Sequence, residues 1–221
     1  MRPLSKYEYY RTKYGVLYCG DCLKVLPLIK TKINSVITDP VWPNCPKGLL
    51  PGSDGKQKQL LSAVLKKIYA QRVVIIMRDD SDPRFLTAVP KRYPCFRVQK
   101  LPYAVPGYFG RQLGGMECAY SFGVPCKARK GKFLYCGMGP MSQSTPKLRH
   151  PCPRSLVHMI WLVDWWSELQ DTVIDPFAGS GTTLIAAEDQ RRAWIGIEIE
   201  QKYCRIAKQR LIEHNRQTKL F

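Results

Sequence analysis

The sequence predicts an α/β fold with a doubly wound, mostly parallel sheet, and three observations support this prediction. Short β-branched runs at 16–19, 35–38 and 72–77 each end in Gly, Asp-Pro or charged residues, which is typical of buried strands. Apolar residues recur at helical spacing over 60–68, directly before the third of these runs. A strand, a glycine-containing turn, a helix and a second strand then follow between residues 172 and 197. Strands that alternate with helices in this way favour a parallel sheet.

The remaining elements continue this rhythm in a chain of 221 residues, which is expected to form a single domain over 1–221. The segment 95–123 is rich in aromatic residues, Gly and Pro, and predicts strands joined by a loop at 106–115. Residues 125–148 have no clear period and predict a loop insertion. The other predicted elements are a helix over 156–166, strands over 172–174 and 194–197, a helix ending near 190 and an amphipathic C-terminal helix.

The charge of the chain predicts a polyanionic partner. There are 35 Lys and Arg residues against 17 Asp and Glu, which gives a net charge of +18. The basic residues concentrate at 127–132 and at 205–216, as expected for a folded surface that follows nucleic-acid phosphates. A basic surface that serves only solubility is the alternative, and it is less favoured because the charge is large for this length. The candidate phosphate contacts are Lys127, Arg129, Lys130 and Lys132.

Two other features limit the class of protein. No mainly apolar run approaches the roughly 20 residues that cross a bilayer, and no secretory signal is recognisable, so a cytoplasmic protein without a membrane segment is expected. Cys19 and Cys22 have the spacing of half a zinc site, but no second pair follows to complete it. The nine cysteines are therefore expected to be reduced, with no metal bound.

A glycine-rich segment indicates a nucleotide-like ligand. The sequence Asp-Pro-Phe-Ala-Gly-Ser-Gly-Thr-Thr over 175–183 joins a predicted strand to a predicted helix, where such ligands lie in doubly wound sheets. Glu198 follows Gly179 by 19 residues, close to the spacing at which a carboxylate reaches ribose hydroxyls. An ordinary turn is the alternative, and Glu198 argues against it. A dinucleotide oxidoreductase is disfavoured, because Leu184 stands where that motif has its third glycine.

These residues carry a resemblance to a known family. Residues 173–183 resemble the cofactor-binding motif of the S-adenosylmethionine-dependent DNA methyltransferases that act on exocyclic amino groups. Residues 196–200 with Tyr203 resemble the ribose-binding strand and following helix of the same enzymes. The resemblance implies a class I methyltransferase fold and S-adenosylmethionine as cofactor, with a Cβ at Gly179 or Gly181 expected to intrude on the methionine moiety. The implied cofactor contacts are Asp175, Phe177, Gly179, Ser180, Gly181, Thr182, Thr183 and Glu198.

Two further segments extend the resemblance. The segment around Asp21 is similar to the one that presents an Asp to the adenine of the cofactor, and this role is favoured over the alternative of a helix cap. Residues 150–154 resemble a His-Pro-Thr-Gln-Lys element that closes over the methionine end, with phosphate binding or packing as alternatives for His150 and Arg154. Asp21 and Asp39 precede the glycine-rich segment by more than 130 residues, as in the circularly permuted beta-type enzymes. This order implies that the two ends of the chain meet on one side of the sheet.

The tetrapeptide Asp39-Pro40-Val41-Trp42 ends a predicted strand and resembles the Asp-Pro-Pro-aromatic motif of these enzymes, with Val41 at the second Pro. An exocyclic nitrogen is a poor nucleophile, since its lone pair is conjugated into the ring. Asp39 and the Pro40 carbonyl are therefore assigned to accept its hydrogens, and Trp42 to stack on the extruded base. A structural Asp-Pro turn is the alternative. Asp at the first position favours adenine N6 over cytosine N4 in DNA, and RNA remains open.

The recognition of the substrate is less defined by the sequence. The strand that begins at Glu117 resembles the one near the target-base pocket, or it is an edge strand with one exposed Glu. The insertion at 125–148 is short for a target-recognition region, which predicts low specificity or a homodimer. Because Val41 departs from the motif, a nucleic-acid-binding homologue without turnover is the rival to an active enzyme.

Overall fold

The computed structural model describes residues 4–104, 117–127, 139–140 and 154–217. The strands are β1 Glu8–Arg11, β2 Gly15–Cys19, β3 Ser35–Thr38, β4 Arg72–Arg78, β5 Cys95–Leu101, β6 Tyr103–Ala104, β7 Glu117–Gly123, β8 Gly139–Pro140, β9 Thr172–Asp175 and β10 Ala193–Glu198. The α-helices are α1 Cys22–Val25, α2 Gln57–Lys67, α3 Leu156–Trp166, α4 Thr182–Asp189 and α5 Gln201–Gln217. Single-turn or short 3₁₀ helices span Ser5–Tyr7, Leu26–Leu28 and Pro83–Ala88.

Eight of these strands form one sheet in the order β1-β2-β10-β9-β3-β4-β7-β5. The central strands from β2 to β4 pair in parallel, whereas β1, β7 and β5 add antiparallel ladders at the two sides. The predicted mostly parallel α/β sheet is therefore confirmed. The N-terminal strands lie beside β10, the last strand, as the permuted order of motifs implies.

The predicted elements are confirmed to within a few residues wherever the structure describes the chain. The helix predicted over 60–68 begins earlier, at Gln57, and the strand predicted over 72–77 continues to Arg78. The strands predicted within 95–123 are present as β5, β6 and β7, of which β5 and β7 are adjacent and antiparallel. The predicted loop at 106–115 and most of the predicted insertion at 125–148 lie outside the described residues.

The core lies in two layers, because successive strand residues point to opposite faces of the sheet. Leu17 and Ile37 pack on one face with apolar residues of α3, α4 and α5. Val16 and Val36 pack on the other face with residues of α1 and α2. The sheet is thus covered by helices on both sides, as in doubly wound folds. Within the part of the chain that the structure describes, no helix is long and apolar enough to cross a membrane.

Candidate active site

A cavity of about 360 Å³ opens at the carboxyl ends of the central strands. The chain adds strands to one side of the sheet from β3 to β4 and to the other side from β9 to β10, so the strand order reverses between β9 and β3. Ligands of open α/β sheets bind at such a reversal. The volume falls within the range of small-molecule sites, and the lining is mainly apolar with a few carboxylates. The predicted site residues that line it are Asp21, Asp39, Pro40, Trp42, Asp175, Phe177, Gly179, Ser180, Thr182, Thr183 and Glu198.

Asp175 fixes the glycine-rich turn to the neighbouring strand. Its buried carboxylate accepts hydrogen bonds from Thr38 Oγ1 at 2.7 Å, Thr183 Oγ1 at 2.6 Å and the Phe177 amide at 3.1 Å. Burial raises the pKa of Asp175 to about 6, although these hydrogen bonds oppose the shift. Three protein donors already use this carboxylate, so its geometry supports a role in holding the turn in shape.

The two glycines of the turn have different roles. Both have left-handed backbones, with φ of 51° at Gly179 and 79° at Gly181. Gly179 lines the cavity and donates its amide to Glu198. Gly181 is absent from the lining, and a Cβ there would come within 2.8 Å of the Ala207 Cβ on α5. The expected steric conflict between a Cβ at Gly181 and the cofactor is therefore wrong, because that position faces α5.

Glu198 ends β10 with a buried carboxylate. Oε2 accepts the Gly179 amide and Oε1 accepts the Glu200 amide, both at 2.8 Å. Burial raises the pKa of Glu198, while the two backbone hydrogen bonds act in the opposite direction. Each carboxylate oxygen has more than one acceptor site, so Glu198 can orient the turn and still accept from a ribose hydroxyl.

The structure confirms the alternative that Asp21 caps a helix. It is the N-cap of α1, and its Oδ1 accepts the Leu23 amide at 2.9 Å. The same residue lines the cavity, so capping does not turn it away from a bound ligand. Its hydrogen bond to the adenine of a cofactor stays a prediction.

Arg210 is a site residue that the sequence reasoning missed. From α5 its Nη1 donates to Ser180 O at 2.7 Å, Ser180 Oγ at 3.1 Å and Thr182 Oγ1 at 2.9 Å. Burial lowers the pKa of Arg210 to about 10, so the guanidinium remains charged at neutral pH. The predicted phosphate-facing run 205–216 thus has one member turned inward. Arg210 follows buried Ala207 by three residues and so lies on the same face of α5. This spacing could have predicted that its side chain points inward.

On the opposite side of the cavity, Asp39 and Trp42 follow β3 and contact each other. Trp42 Nε1 donates to Asp39 Oδ1 at 3.0 Å, and the Trp42 side chain is almost fully buried. Burial raises the pKa of Asp39 to about 6; Arg154 lowers it and Glu117 raises it. The predicted catalytic residues are thus close to one another and border the predicted cofactor site.

Arg154 connects this pair to a third side chain. Its Nε donates to Asp39 Oδ2 and its Nη1 donates to Glu117 Oε1. The guanidinium carbon also lies 4.4 Å from the centroid of the Trp42 ring. Glu117 is only 6% exposed, and β7 lies between β4 and β5. The alternative of an edge strand with an exposed Glu is therefore wrong.

The predicted phosphate contacts are mostly beyond what the structure describes. Lys127 is exposed. Arg129, Lys130 and Lys132 lie outside the described residues, as does His150. Their role in binding nucleic acid stays a prediction.

Two solved structures share this architecture. The complex of M1.HpyAVI with S-adenosylmethionine has a TM-score of 0.67 at 22% identity, covering 88% of this chain and 98% of that one. PvuII DNA methyltransferase, described as cytosine-N4-specific, has a TM-score of 0.65 at 18% identity, covering 95% and 94%. These likenesses show the fold, which is that of the class I methyltransferases.

The sequence comparisons show what part of the chain is similar to within this class. Residues 125–209 match the model of the N6_N4_Mtase family, described as DNA methylase, which confirms the predicted resemblance. The type II methyltransferase M.BamHI of Bacillus amyloliquefaciens is 30% identical over 128 residues, or 57% of this chain and 29% of that protein. The matched segments span less than a third of the length of the curated relatives. Asp21 and Asp39 lie outside the matched residues 125–209, but the fold places them in the same cavity as the glycine-rich turn and Glu198.

Proposed function

We propose that this chain transfers a methyl group from S-adenosylmethionine to the exocyclic amino group of a base in DNA. The main support is the meeting of two segments in one cavity. The Asp39-Pro40-Val41-Trp42 tetrapeptide follows β3, and the glycine-rich turn with Glu198 follows β9 and β10. Their separation along the chain is large, so this juxtaposition is produced only by the fold.

On the cofactor side, the residues fit an adenosine-containing ligand. Glu198 and Asp21 line the same cavity. In the proposed complex Glu198 accepts from the ribose hydroxyls. The left-handed turn at Gly179 exposes backbone to the cavity without a side chain in between. When bound, S-adenosylmethionine supplies an electrophilic methyl group on its sulfonium.

On the base side, the tetrapeptide would prepare the nitrogen that receives the methyl group. The Asp39 carboxylate accepts one amino hydrogen and the Pro40 carbonyl accepts the other, which favours a pyramidal nitrogen with an available lone pair. Trp42 offers an aromatic face to a base that has left the duplex, because the amino group cannot be reached inside it. Holding nitrogen and methyl group in line supplies much of the rate enhancement. No covalent intermediate with the protein is needed.

Adenine N6 is the proposed target, because Asp39 stands at the first position of the motif. Cytosine N4 is the second candidate, since the PvuII enzyme, described as cytosine-N4-specific, has a similar fold. The net charge of +18 supports a nucleic-acid substrate in either case. A homologue that binds nucleic acid without turnover is the rival that Val41 suggests.

Methyl transfer and its target can be tested together. The protein is incubated with methyl-labelled S-adenosylmethionine and mixed-sequence duplex DNA or RNA, and the polymer is then digested to nucleosides. Labelled N6-methyldeoxyadenosine is the expected product, and Asp39→Asn is the matched inactive control. Labelled N4-methyldeoxycytidine or N6-methyladenosine would redirect the proposal. Cofactor binding without any methylated nucleoside would support the rival.

A further inference from the structure

Arg154 engages the groups that the proposed function assigns to the target base. Its Nε contacts Asp39 Oδ2, and its guanidinium lies over the Trp42 ring, which is only 6% exposed. A guanidinium is a flat, delocalised group with N–H donors that stacks on aromatic rings. An aminopurine base presents the same two features, a flat ring system and an N–H donor.

The base and the guanidinium therefore compete for the same contacts. Asp39 Oδ1 already accepts from the Trp42 indole at 3.0 Å, so Oδ2 is the oxygen suited to the amino group of a base. Two flat groups cannot cover one face of Trp42 at the same time. Entry of a base thus requires Arg154 to leave both Asp39 and Trp42.

Glu117 gives Arg154 a second attachment that does not involve these groups. It contacts Nη1, whereas Asp39 contacts Nε, so the two carboxylates hold different nitrogens of one guanidinium. Glu117 stands at the start of β7 opposite Arg78 of β4, in the interior of the sheet. A buried cation that lost its sole carboxylate would be strongly disfavoured. With Glu117 present, Arg154 can release Asp39 and remain paired.

We propose that Arg154 is a positioning residue that occupies the target-base position and yields it by transferring its contacts to Glu117. This inference rests on the proposed function, because it concerns the same pocket. Arg154 then holds Asp39 in place until an amino donor replaces it. A base that stacks on Trp42 must bind strongly enough to displace the guanidinium. Arg154 and Glu117 therefore set a minimum affinity that a base needs in order to enter.

Base capture can be measured separately from methyl transfer. One duplex carries an unpaired adenine opposite an abasic site, and a second has abasic sites on both strands at that position. The ratio of the two affinities reports capture of the base, independently of a recognition sequence. The ratio is measured for the parent protein, Arg154→Met, Glu117→Gln and the double variant. Met keeps the apolar stem of Arg154 and removes its donors.

Arg154→Met is expected to raise the capture ratio by about tenfold, and Glu117→Gln to lower it several-fold, since the carboxylate that competes with Asp39 for Arg154 is then gone. In the double variant the loss caused by Glu117→Gln should disappear, because there is no guanidinium left to hold. Cofactor affinity should change little in all three variants. An Arg154→Met ratio at or below the parent value, or additive losses in the double variant, would overturn the proposal.

The two proposals fail in distinguishable ways. If the parent protein captures the base, with the expected variant pattern, but yields no methylated nucleoside, the proposed function is wrong and the role of Arg154 stands. If methylation occurs and depends on Asp39, but the variants leave the capture ratio unchanged, the role of Arg154 is wrong. Folding of each variant is checked by its thermal unfolding midpoint.

Discussion

On the cofactor side of the cavity, Asp175 and Glu198 accept hydrogen bonds from backbone amides and short hydroxyl side chains around the glycine-rich turn. On the base side, Asp39 and Glu117 share one long guanidinium, that of Arg154. The donors on the first side are backbone amides and the short side chains of Thr38 on β3 and Thr183 on α4. On the second side Asp39 also accepts from the Trp42 indole, but the donor that it shares with Glu117 is the end of a flexible side chain. The buried carboxylates thus accept from fixed donors in one region, and in the other they share a donor that a base could replace.

This difference matches what each side has to do in the proposed reaction. A cofactor that binds in one conformation benefits from a site whose groups are already in place. A base that arrives from a duplex must displace whatever occupies its position. Changes on the cofactor side should therefore alter affinity or stability, whereas changes on the base side should alter turnover, base entry and pH dependence.

The largest expected effect is that of Asp39→Ala on methyl transfer. The substitution removes the acceptor assigned to the amino group, and loss of such a transition-state contact typically lowers kcat by about 100-fold or more. Cofactor affinity, measured by calorimetry, should remain nearly that of the parent protein. A parallel loss of cofactor binding would show that Asp39 supports the whole cavity, and the division between the two sides would fail.

The next effect is on stability, at Gly181. Alanine there must adopt φ near 79°, and its Cβ would come within 2.8 Å of the Ala207 Cβ. Backbone strain and overpacking together should lower the free energy of unfolding by about 3 kcal/mol. Gly48→Ala is the matched control, because φ is 78° there and nothing lies within 4 Å of the added Cβ. Equal losses in the two variants in urea unfolding would assign the whole cost to the backbone.

Glu198→Gln should weaken cofactor binding by about tenfold, since the amide keeps one acceptor and loses the charge-assisted contacts. Its amide nitrogen would also face a backbone N–H, of Gly179 or Glu200. Glu200→Gln is the control, because the Glu200 amide that Glu198 binds is unchanged by that substitution. Calorimetric titration with S-adenosylmethionine measures both. Equal affinities in the two variants would remove Glu198 from the cofactor site.

Much of the cofactor side is predictable from the sequence, because its contacts are local. The turn at 175–183 and Glu198 belong to consecutive elements, and glycine spacing with a following acidic strand end marks them. The packing of Leu184 could not be predicted in this way. Leu184 stands at the position of a third glycine, and the room for it comes from Gly196, where a Cβ would lie 2.5 Å from Leu184 Cδ1. Only the packing of α4 on β10 places these two residues together.

The base side was predictable only in part. Asp39 and Trp42 are three residues apart and form one motif, whereas their partner Arg154 is 115 residues from Asp39. Nothing in the order of residues indicates that one guanidinium joins Asp39 to Glu117. The inward orientation of Arg210 was missed for a related reason. A run of basic residues on a helix predicts a solvated face, and the turn at Ser180 and Thr182 that Arg210 contacts is distant in sequence.

Arg210→Met should loosen the turn at Ser180 and Thr182 and weaken cofactor binding by about threefold, less than a direct contact would. Arg210→Lys retains the charge and should recover part of this loss. Arg205→Met, an exposed change on the same helix, is the control. If Arg210→Met and Arg205→Met bind the cofactor equally, the turn keeps its shape without the hydrogen bonds from Arg210.

The smallest expected effect is a pH shift, and its sign separates the roles of the two groups beside Asp39. The pKa of Asp39 is raised by burial to about 6, and protonated Asp39 no longer offers the same acceptor, so methyl transfer should fall below about pH 6. The charged groups that face Asp39 are Arg154, Glu117 and Asp175. Arg154→Met should move the acidic limb of kcat/KM to higher pH, because the guanidinium lowers the pKa of Asp39 in the protein without substrate. Glu117→Gln should move it to lower pH, because that carboxylate raises it.

Each shift should be smaller than about one pH unit, which a series of initial rates between pH 5 and pH 8 resolves. Unfolding is not an alternative cause of the acidic limb through these groups. Since the folded pKa lies above its ordinary value of 3.8, protonation of Asp39 stabilises the fold. That stabilisation is complete below the ordinary value and is lost as pH rises through about 6. Limbs that stay in place in both variants would mean that the titrating group is Asp175, whose pKa is also about 6 and is set by burial and by Thr183, Thr38, Phe177 and Asp39, and not Asp39 itself.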